Sequence, residues 1–302
     1  MTSHVTAGVG EADGAANLHV FGDPAIAAEY ARLDYLTGCE RFLIETYVAP
    51  GAAVLDLGVG GGRTTPYLLE RAGRYLGVDY SAEMVRLCRE KFPGIEFCEA
   101  DAASMPQLED KSFDVILFSY NGLDALWPSE KRRSCIGECR RLLRAGGFFV
   151  FSAHNPRSIV AWRGWDPGRV RAFSRKIAGG SKAFYPLALG AATAAKATLS
   201  LLYSAVETFT RMARRLPSKA FRQGEGYMLD PAHRGLLNHY WVPERAIAEV
   251  RSFGFRSRGV WCHEYPAKRS VYRVDWYYYA FEKCDERVEP GAVREPGGVN
   301  GQ

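Results

Sequence analysis

The stretch VLDLGVGGGRTT, residues 54–65, limits what this chain can fold into more than any other part of it. Val54, Leu55 and Leu57 make a short apolar strand. Gly58, Gly60, Gly61 and Gly62 then form a turn in which side chains would obstruct a ligand, and a helix is expected directly afterwards. Glycine tolerates positive φ, and a strand, a glycine turn and a helix start together aim backbone N–H groups and the positive helix end at one place. Nucleotide-like cofactors use such sites, although loops without ligands also collect glycine.

Strand and helix then alternate. A helix over 65–72 leads to YLGVDYS, 75–81, a second strand ending in Asp79. An acid about twenty residues beyond a glycine loop can accept both hydroxyls of a ribose. Ser81 is the expected N-cap of a helix carrying Met84, Val85 and Leu87, which Pro93-Gly94 breaks. IEFCEADAASMP, 95–106, supplies a third strand followed by Asp101 and Ala102, an acid and an amide that suit the donor and acceptor edge of adenine. FDVILFSYNGLDAL, 113–126, is a continuous apolar run, as in a parallel strand covered on both faces, and leads into Ser119, Tyr120 and Asn121. A helix with Cys135, Cys139, Leu142 and Leu143, and the Gly146-Gly147 stop, precede FFVFSAHNP as strand five. This order predicts a doubly wound sheet with its ligand crevice at the strands' carboxyl ends, where Gly58, Asp79, Asp101, Asn121 and His154 fall.

Residues 1–20 read as a flexible leader without a secretory signal. Over 23–48, Pro24, Ile26, Tyr30, Leu33, Leu36, Phe42, Leu43 and Tyr47 recur at helical spacing, so one or two helices precede the sheet. Tyr30 and Tyr35 either close the glycine loop or simply pack. Residues 157–240 interrupt the alternation, and Arg and Lys gather over 157–222 around YPLALGAATAAKATLSLLYSAVETF. Lys196, Glu207 and the many Ala, Ser and Thr argue against a membrane span. The segment reads as a helical basic lid insertion over the crevice, or as a helix whose 183–216 part also touches a membrane surface or apolar partner. Beyond Trp241, a helix over 243–253 and strands over 255–262 and 271–284 complete the core, and the Pro/Gly-rich 285–302 reads as a disordered tail.

A chain of 302 residues, 47% of them hydrophobic, can bury one large α/β domain with insertions. The net charge of +5 carries no nucleic-acid motif with it, which disfavours such a partner. Seven cysteines without a CxxC point to a reduced, cytoplasmic location, and the Cys135/Cys139 pair lacks the further ligands of a metal site.

In this order, VLDLGVGGGRTT, LGVDYS, CEADAASMP, FDVILFSYNGLD and LLRAGGFFVFS resemble the class I S-adenosylmethionine-dependent methyltransferases, with a type 11/25-like domain, over residues 50–155 and more weakly over 243–283. The resemblance implies a seven-stranded, mostly parallel Rossmann-like sheet whose final strand, here the aromatic run Trp276 to Phe281, is antiparallel. It implies S-adenosyl-L-methionine as cofactor and S-adenosyl-L-homocysteine as product. Asp56, Gly58, Gly60 and Gly62 would line the methionine end, Asp79 with Tyr80 the ribose, and Asp101 with Ala102 the adenine. Ser119 and Tyr120 would lie near the methionine part, with Tyr30 closing the site.

Methyl transfer from a sulfonium is an in-line displacement, so the protein must align a nucleophile, exclude water and, where needed, remove a proton. His154 is the candidate general base, or a structural histidine; Asn121 would orient an acceptor, and His239 sits where the insertion rejoins the core. The expected acceptor is a small molecule with an O or N nucleophile, less favoured a C or S one, and an apolar or acidic portion, of natural-product, sugar or lipid-like kind. Trp162, Trp165, Tyr240, Trp241, Trp261 and Tyr265 would be its aromatic walls. An NAD-dependent oxidoreductase would also use Gly58, Gly60 and Asp79, but Asp56 and the Asp101-Ala102 pair disfavour it. A non-catalytic cofactor-binding interaction protein is the remaining alternative.

Overall fold

The computed structural model of the chain describes residues 17, 20–157, 174, 178, 184–191, 193–194, 224–230, 236–269 and 274–284. The expected leader before residue 17, most of the insertion, including Trp162 and Trp165, and the tail after 284 lie outside the described residues.

Two helices precede the sheet, and each is started by a local signal. Asp23 accepts a hydrogen bond from the Ala25 N–H at the start of α1 (Pro24–Ala31), and Thr37 and Glu40 form a capping box at the start of α2 (Gly38–Tyr47). The alternating core then runs β1 (Ala52–Leu57), α3 (Thr65–Leu69), β2 (Ala72–Asp79), α4 (Ala82–Lys91), β3 (Phe97–Glu99), β4 (Phe113–Phe118), α5 (Ser129–Leu142) and β5 (Leu143–His154). Ser81 caps α4 by accepting from the Met84 N–H, while Glu83 in the first turn and Arg89 and Lys91 in the last complement the helix dipole. After a hairpin of β6 (Glu225–Asp230) and β7 (Leu236–Trp241), α6 (Pro243–Ser252), β8 (Phe255–Cys262) and β9 (Trp276–Lys283) finish the fold.

The seven-stranded sheet has the order β3-β2-β1-β4-β5-β9-β8. The β1–β2, β1–β4, β2–β3 and β4–β5 pairs are parallel, and β9 runs antiparallel to both β5 and β8. Side chains alternate between two cores: Leu55, Leu57, Ile116, Phe118, Phe149 and Phe151 on one face, Val54, Val115, Leu117 and Val150 on the other. Because both faces are covered, all six residues of β1 are buried. The β9 rings close the first core, with Tyr279 stacked on Phe151 at 5.0 Å.

Two elements differ from the sequence reading. The third strand is only three residues long, because the Ala100 N–H donates to the Asp79 carbonyl and the chain then turns through an Asp101–Ser104 bridge. The end of the expected helical insertion is a β-hairpin, since Leu236–Trp241 is buried throughout and needs a partner for its ladder. Among the described residues no helix is long and apolar enough to cross a membrane.

Candidate cofactor and acceptor site

Neighbouring strands leave β1 towards β2 on one side and β4 on the other, which opens a crevice beyond their carboxyl ends. The glycine turn forms its floor. Gly58, Gly60 and Gly62 hold φ of +64°, +55° and +77°. A Cβ on Gly58 would lie 2.4 Å from Phe118 Cε2, and one on Gly62 2.4 Å from Phe92 Cε2. On Gly60 it would meet only the Tyr30 ring, at 3.8 Å, so the missing side chain leaves open space. The Gly60 N–H donates to Asp79 Oδ2 at 2.8 Å, and the Val59 N–H to the Val78 carbonyl at 3.0 Å, which pins the turn to β2.

Above this floor lies a cavity of about 910 Å³. Small-molecule and cofactor pockets span roughly 300–1,000 Å³, and this one lies at the upper end of that range. Tyr30, Asp56, Gly58, Gly60, Asp79, Tyr80, Asp101, Ala102, Ser119, Tyr120, Asn121 and His154 all line it. Gly62 does not; its role is packing, since α4 and Phe92 fill the place of its side chain. His239 also lies away from the cavity, buried on β7 with Tyr227 and Trp241 rings 4.9 and 5.0 Å from its own. Burial holds its imidazole well below the usual histidine range, so it is neutral. Tyr240, Trp241, Trp261 and Tyr265 do not line the cavity, whereas Tyr120, Trp127 and Trp276 are among the aromatic residues that do.

Two buried carboxyls lie at the glycine-turn end of the cavity. Asp79 Oδ1 accepts from the Ser81 N–H at 3.0 Å; burial raises its carboxyl above the ordinary range against the pull of the Ser81 and Gly60 N–H groups. Asp56 is 1% exposed, and its Oδ2 accepts from Thr64 Oγ1 at 2.7 Å and the Tyr75 hydroxyl at 2.9 Å. Burial nevertheless pushes it up to about 6. Asp101, by contrast, is half-exposed, with Oδ1 on the Ala103 N–H and Oδ2 on Lys131 Nζ at 2.8 Å. An ammonium beside Asp56, a diol beside Asp79 and an amino group beside Asp101 all fit this donor set, and the open space at Gly60 fits a ligand backbone.

Sequence reasoning missed Arg63 and Glu40. The Arg63 guanidinium sits 4.7 Å from the Tyr120 ring and 5.5 Å from the Tyr35 ring, and both its Nη atoms bond the Glu40 carboxylate. Burial alone would raise that carboxyl, but Arg63 and the Ser119 hydroxyl that donates to it outweigh burial and hold it low. The pair therefore fixes Ser119 and Tyr120 at the cavity wall.

Asp124, also missed, lies behind His154. The short 3₁₀ turn Gly122–Ala125 carries it, fully buried, under the end of β5. Its Oδ2 accepts from the His154 backbone N–H at 2.6 Å and lies 2.8 Å from His154 Nδ1. His154 Nε2 lies 3.2 Å from Asn121 Nδ2. Among the described residues no group of three His, Cys, Asp or Glu could hold a metal.

Residues 54–147 match a family profile described as a methyltransferase domain. A phthiotriol/phenolphthiotriol dimycocerosates methyltransferase of Mycobacterium tuberculosis is 32% identical over 117 residues, 37% of this chain and 42% of that one. A fatty-acid O-methyltransferase of Mycolicibacterium smegmatis is 32% identical over 152 residues, 46% of this chain and 53% of that one. The chain thus spans about half the length of the curated relatives it matches. The solved CcbJ methyltransferase from Streptomyces caelestis superposes with a TM-score of 0.55 at 16% identity, over 88% of this chain and 98% of that one, and so shares the fold.

Proposed function

We propose that this chain, whose residues 54–147 form a domain of the class I S-adenosylmethionine-dependent methyltransferase family, moves the cofactor's methyl group to an oxygen or nitrogen of a small-molecule acceptor. The observation that carries this reading is a single cavity in which the glycine turn, Asp56 and Asp79 lie at one end and His154 at the other. S-adenosylmethionine is the cofactor of that domain, and it supplies a methyl group already activated on a positively charged sulfur.

The protein's part is to bind, align and keep out water. Asp56 meets the cofactor ammonium, Asp79 accepts from the ribose hydroxyls, and Asp101 with the Ala102 amide reads the adenine edge. Ser119 and Tyr120, steadied by the Glu40–Arg63 pair, flank the methionine part, and Tyr30 covers it. His154 takes the acceptor's proton where the nucleophile carries one, and the Asn121 amide lies beside its Nε2.

Leu126, Trp127, Leu236 and Trp276 give the cavity an apolar wall, which supports an acceptor with a lipid-like portion. Leu236 and Asn238 bring the end of segment 157–240 to that wall, in keeping with a lid role for the segment. The free thiols suit a cytoplasmic setting.

Calorimetry against S-adenosylmethionine and NAD tests the reading, with affinity expected for the first alone. Mass spectrometry of extracts incubated with the cofactor and either the native chain or Asp79→Ala then identifies the product, which the variant should fail to form. Tight NAD binding without affinity for S-adenosylmethionine would overturn it.

A further inference from the structure

We propose that Asp124 is the positioning residue of a proton-accepting His154, and that the Asn121 amide stands where the acceptor's own X–H group sits, which makes the acceptor an alcohol, phenol or amine rather than a carboxylate. The inference rests on the methyl-transfer reading for its acceptor, and on the geometry around His154 for the rest.

A fully buried carboxylate is costly unless it is paired. Among the described residues the Asp124 carboxyl has as hydrogen-bond partners the backbone N–H and the ring of one residue, His154, both on Oδ2, while Oδ1 has none. Burial raises the Asp124 carboxyl and the His154 contacts oppose that rise. The side chain thus gains most when the ring beside it becomes a cation. Oδ2 already accepts the His154 backbone N–H, so it is an acceptor towards Nδ1 as well. The ring proton of neutral His154 then belongs on Nδ1, and Nε2 presents its lone pair.

Asn121 Nδ2 faces that lone pair at 3.2 Å, and Asn121 Oδ1 is buried with no partner among the described residues. One long hydrogen bond is all the side chain loses if it moves. Its backbone is held for it: Tyr120 and Asn121 both take left-handed φ, +57° and +65°, and the Asn121 N–H donates to Ser152 Oγ at 2.7 Å. Whatever replaces the amide must itself donate a hydrogen to Nε2. An alcohol, phenol or amine does so; a carboxylate has no hydrogen to give and meets the Asp124 charge.

The groups around the ring come from four elements. They are Asp124 on the 3₁₀ turn, Tyr240 on β7 with its ring 4.9 Å away, neutral His239 beside it, Arg132 on α5 acting on Asp124 at longer range, and Trp276 on β9. In the transfer, the acceptor's O or N forms a bond to the methyl carbon and the sulfur–carbon bond breaks with its electron pair left on sulfur. The X–H proton goes to Nε2, which makes an imidazolium paired with Asp124, and later leaves to water.

Histidine-labelled NMR of the full chain loaded with S-adenosylhomocysteine tests this, with His154→Gln assigning the signal. The expected result is a neutral Nδ1–H form for His154, converted mainly to the Nε2–H form by Asp124→Asn. Titration with 1-decanol should move the His154 Nε2 signal, whereas decanoate at the same concentration should not. Asn121→Gly, which keeps the left-handed backbone, should retain the Nδ1–H form and still let decanol move the Nε2 signal; it serves if Asp124→Asn does not fold. An Nε2–H form in the native chain, an unaltered tautomer in Asp124→Asn, decanoate acting in place of decanol, or no response to either probe would overturn the proposal. Loss of cofactor binding with the Nδ1–H form intact would count against the methyl-transfer reading instead.

Discussion

At the residue scale, Asp56 shows how the site works against the stability of the fold. Its carboxyl titrates near 6 when folded against an ordinary 3.8, so between those values the folded chain keeps a proton that the unfolded chain has released. Stability of the unliganded protein therefore falls as pH rises from about 4 to about 6, and a two-unit difference corresponds to about 3 kcal/mol. Asp56→Asn should flatten that slope in thermal unfolding and raise the melting temperature at neutral pH, since an amide can still accept from Thr64 and Tyr75. The same variant should bind S-adenosylmethionine about 10- to 100-fold more weakly in calorimetry, because a charge-assisted bond worth roughly 1.5–3 kcal/mol is lost. A variant that bound as well as the native chain would remove Asp56 from the cofactor site.

At the scale of elements, the glycine turn separates packing from ligand space position by position. A Cβ on Gly61 would come within 2.4 Å of the Ala31 Cα and N, backbone atoms that cannot yield without shifting the end of α1. Gly61→Ala should cost about 1–3 kcal/mol of stability in urea unfolding, as overpacking does. Gly60→Ala should cost only about 1–2 kcal/mol for its left-handed backbone, yet weaken cofactor binding more than Gly61→Ala does, since its side chain enters the cavity. Equal effects on both readouts would show that the turn is a packing feature alone.

The strands around this turn were legible because each buried run advertises itself locally: β1, β4 and β9 are continuous apolar segments bounded by turn residues. Asp56, Asp79 and Asp101 were legible for the same reason, as acids at or just beyond strand ends in a fixed order. The Glu40–Arg63 pair was not, although Thr37 and Glu40 display a capping-box spacing, because the second role of Glu40 depends on a loop 23 residues away. Asp124 meets His154 across 30 residues through the register of β4 and β5, and its burial is set by tertiary contacts that no spacing announces. The β6–β7 hairpin was missed because a run holding Asn238 and His239 does not alternate; both are buried by what packs on them.

At the scale of the whole molecule, one residue far upstream ties together distant parts of the cavity rim. Asn17 Oδ1 accepts from the Leu237 N–H at 2.9 Å, and its Nδ2 donates to the Leu237 carbonyl at 3.0 Å and the Ala125 carbonyl at 2.9 Å. Its own carbonyl accepts from the Tyr80 hydroxyl at 3.1 Å. The partners lie up to 220 residues away, on β7, in the 3₁₀ turn and just after β2, so one residue joins three parts of the cavity rim. Asn17, Phe21, Tyr30 and Leu33 line one side of the cavity, and if the cofactor enters on that side its exchange should be faster when the Asn17 contacts are lost. Asn17→Ala leaves the Leu237 N–H and two carbonyls without their partner, a loss of roughly 1–3 kcal/mol per buried group at most. Such a change acts on local opening rather than on the global transition, because the sheet's own ladders are untouched. The expected outcome is a cofactor release rate raised at least tenfold in stopped-flow displacement, with hydrogen exchange accelerated over residues 20–31 and the urea midpoint nearly unchanged. If release stays at the native rate while the midpoint falls, Asn17 supports the fold as a whole and the cavity opens elsewhere.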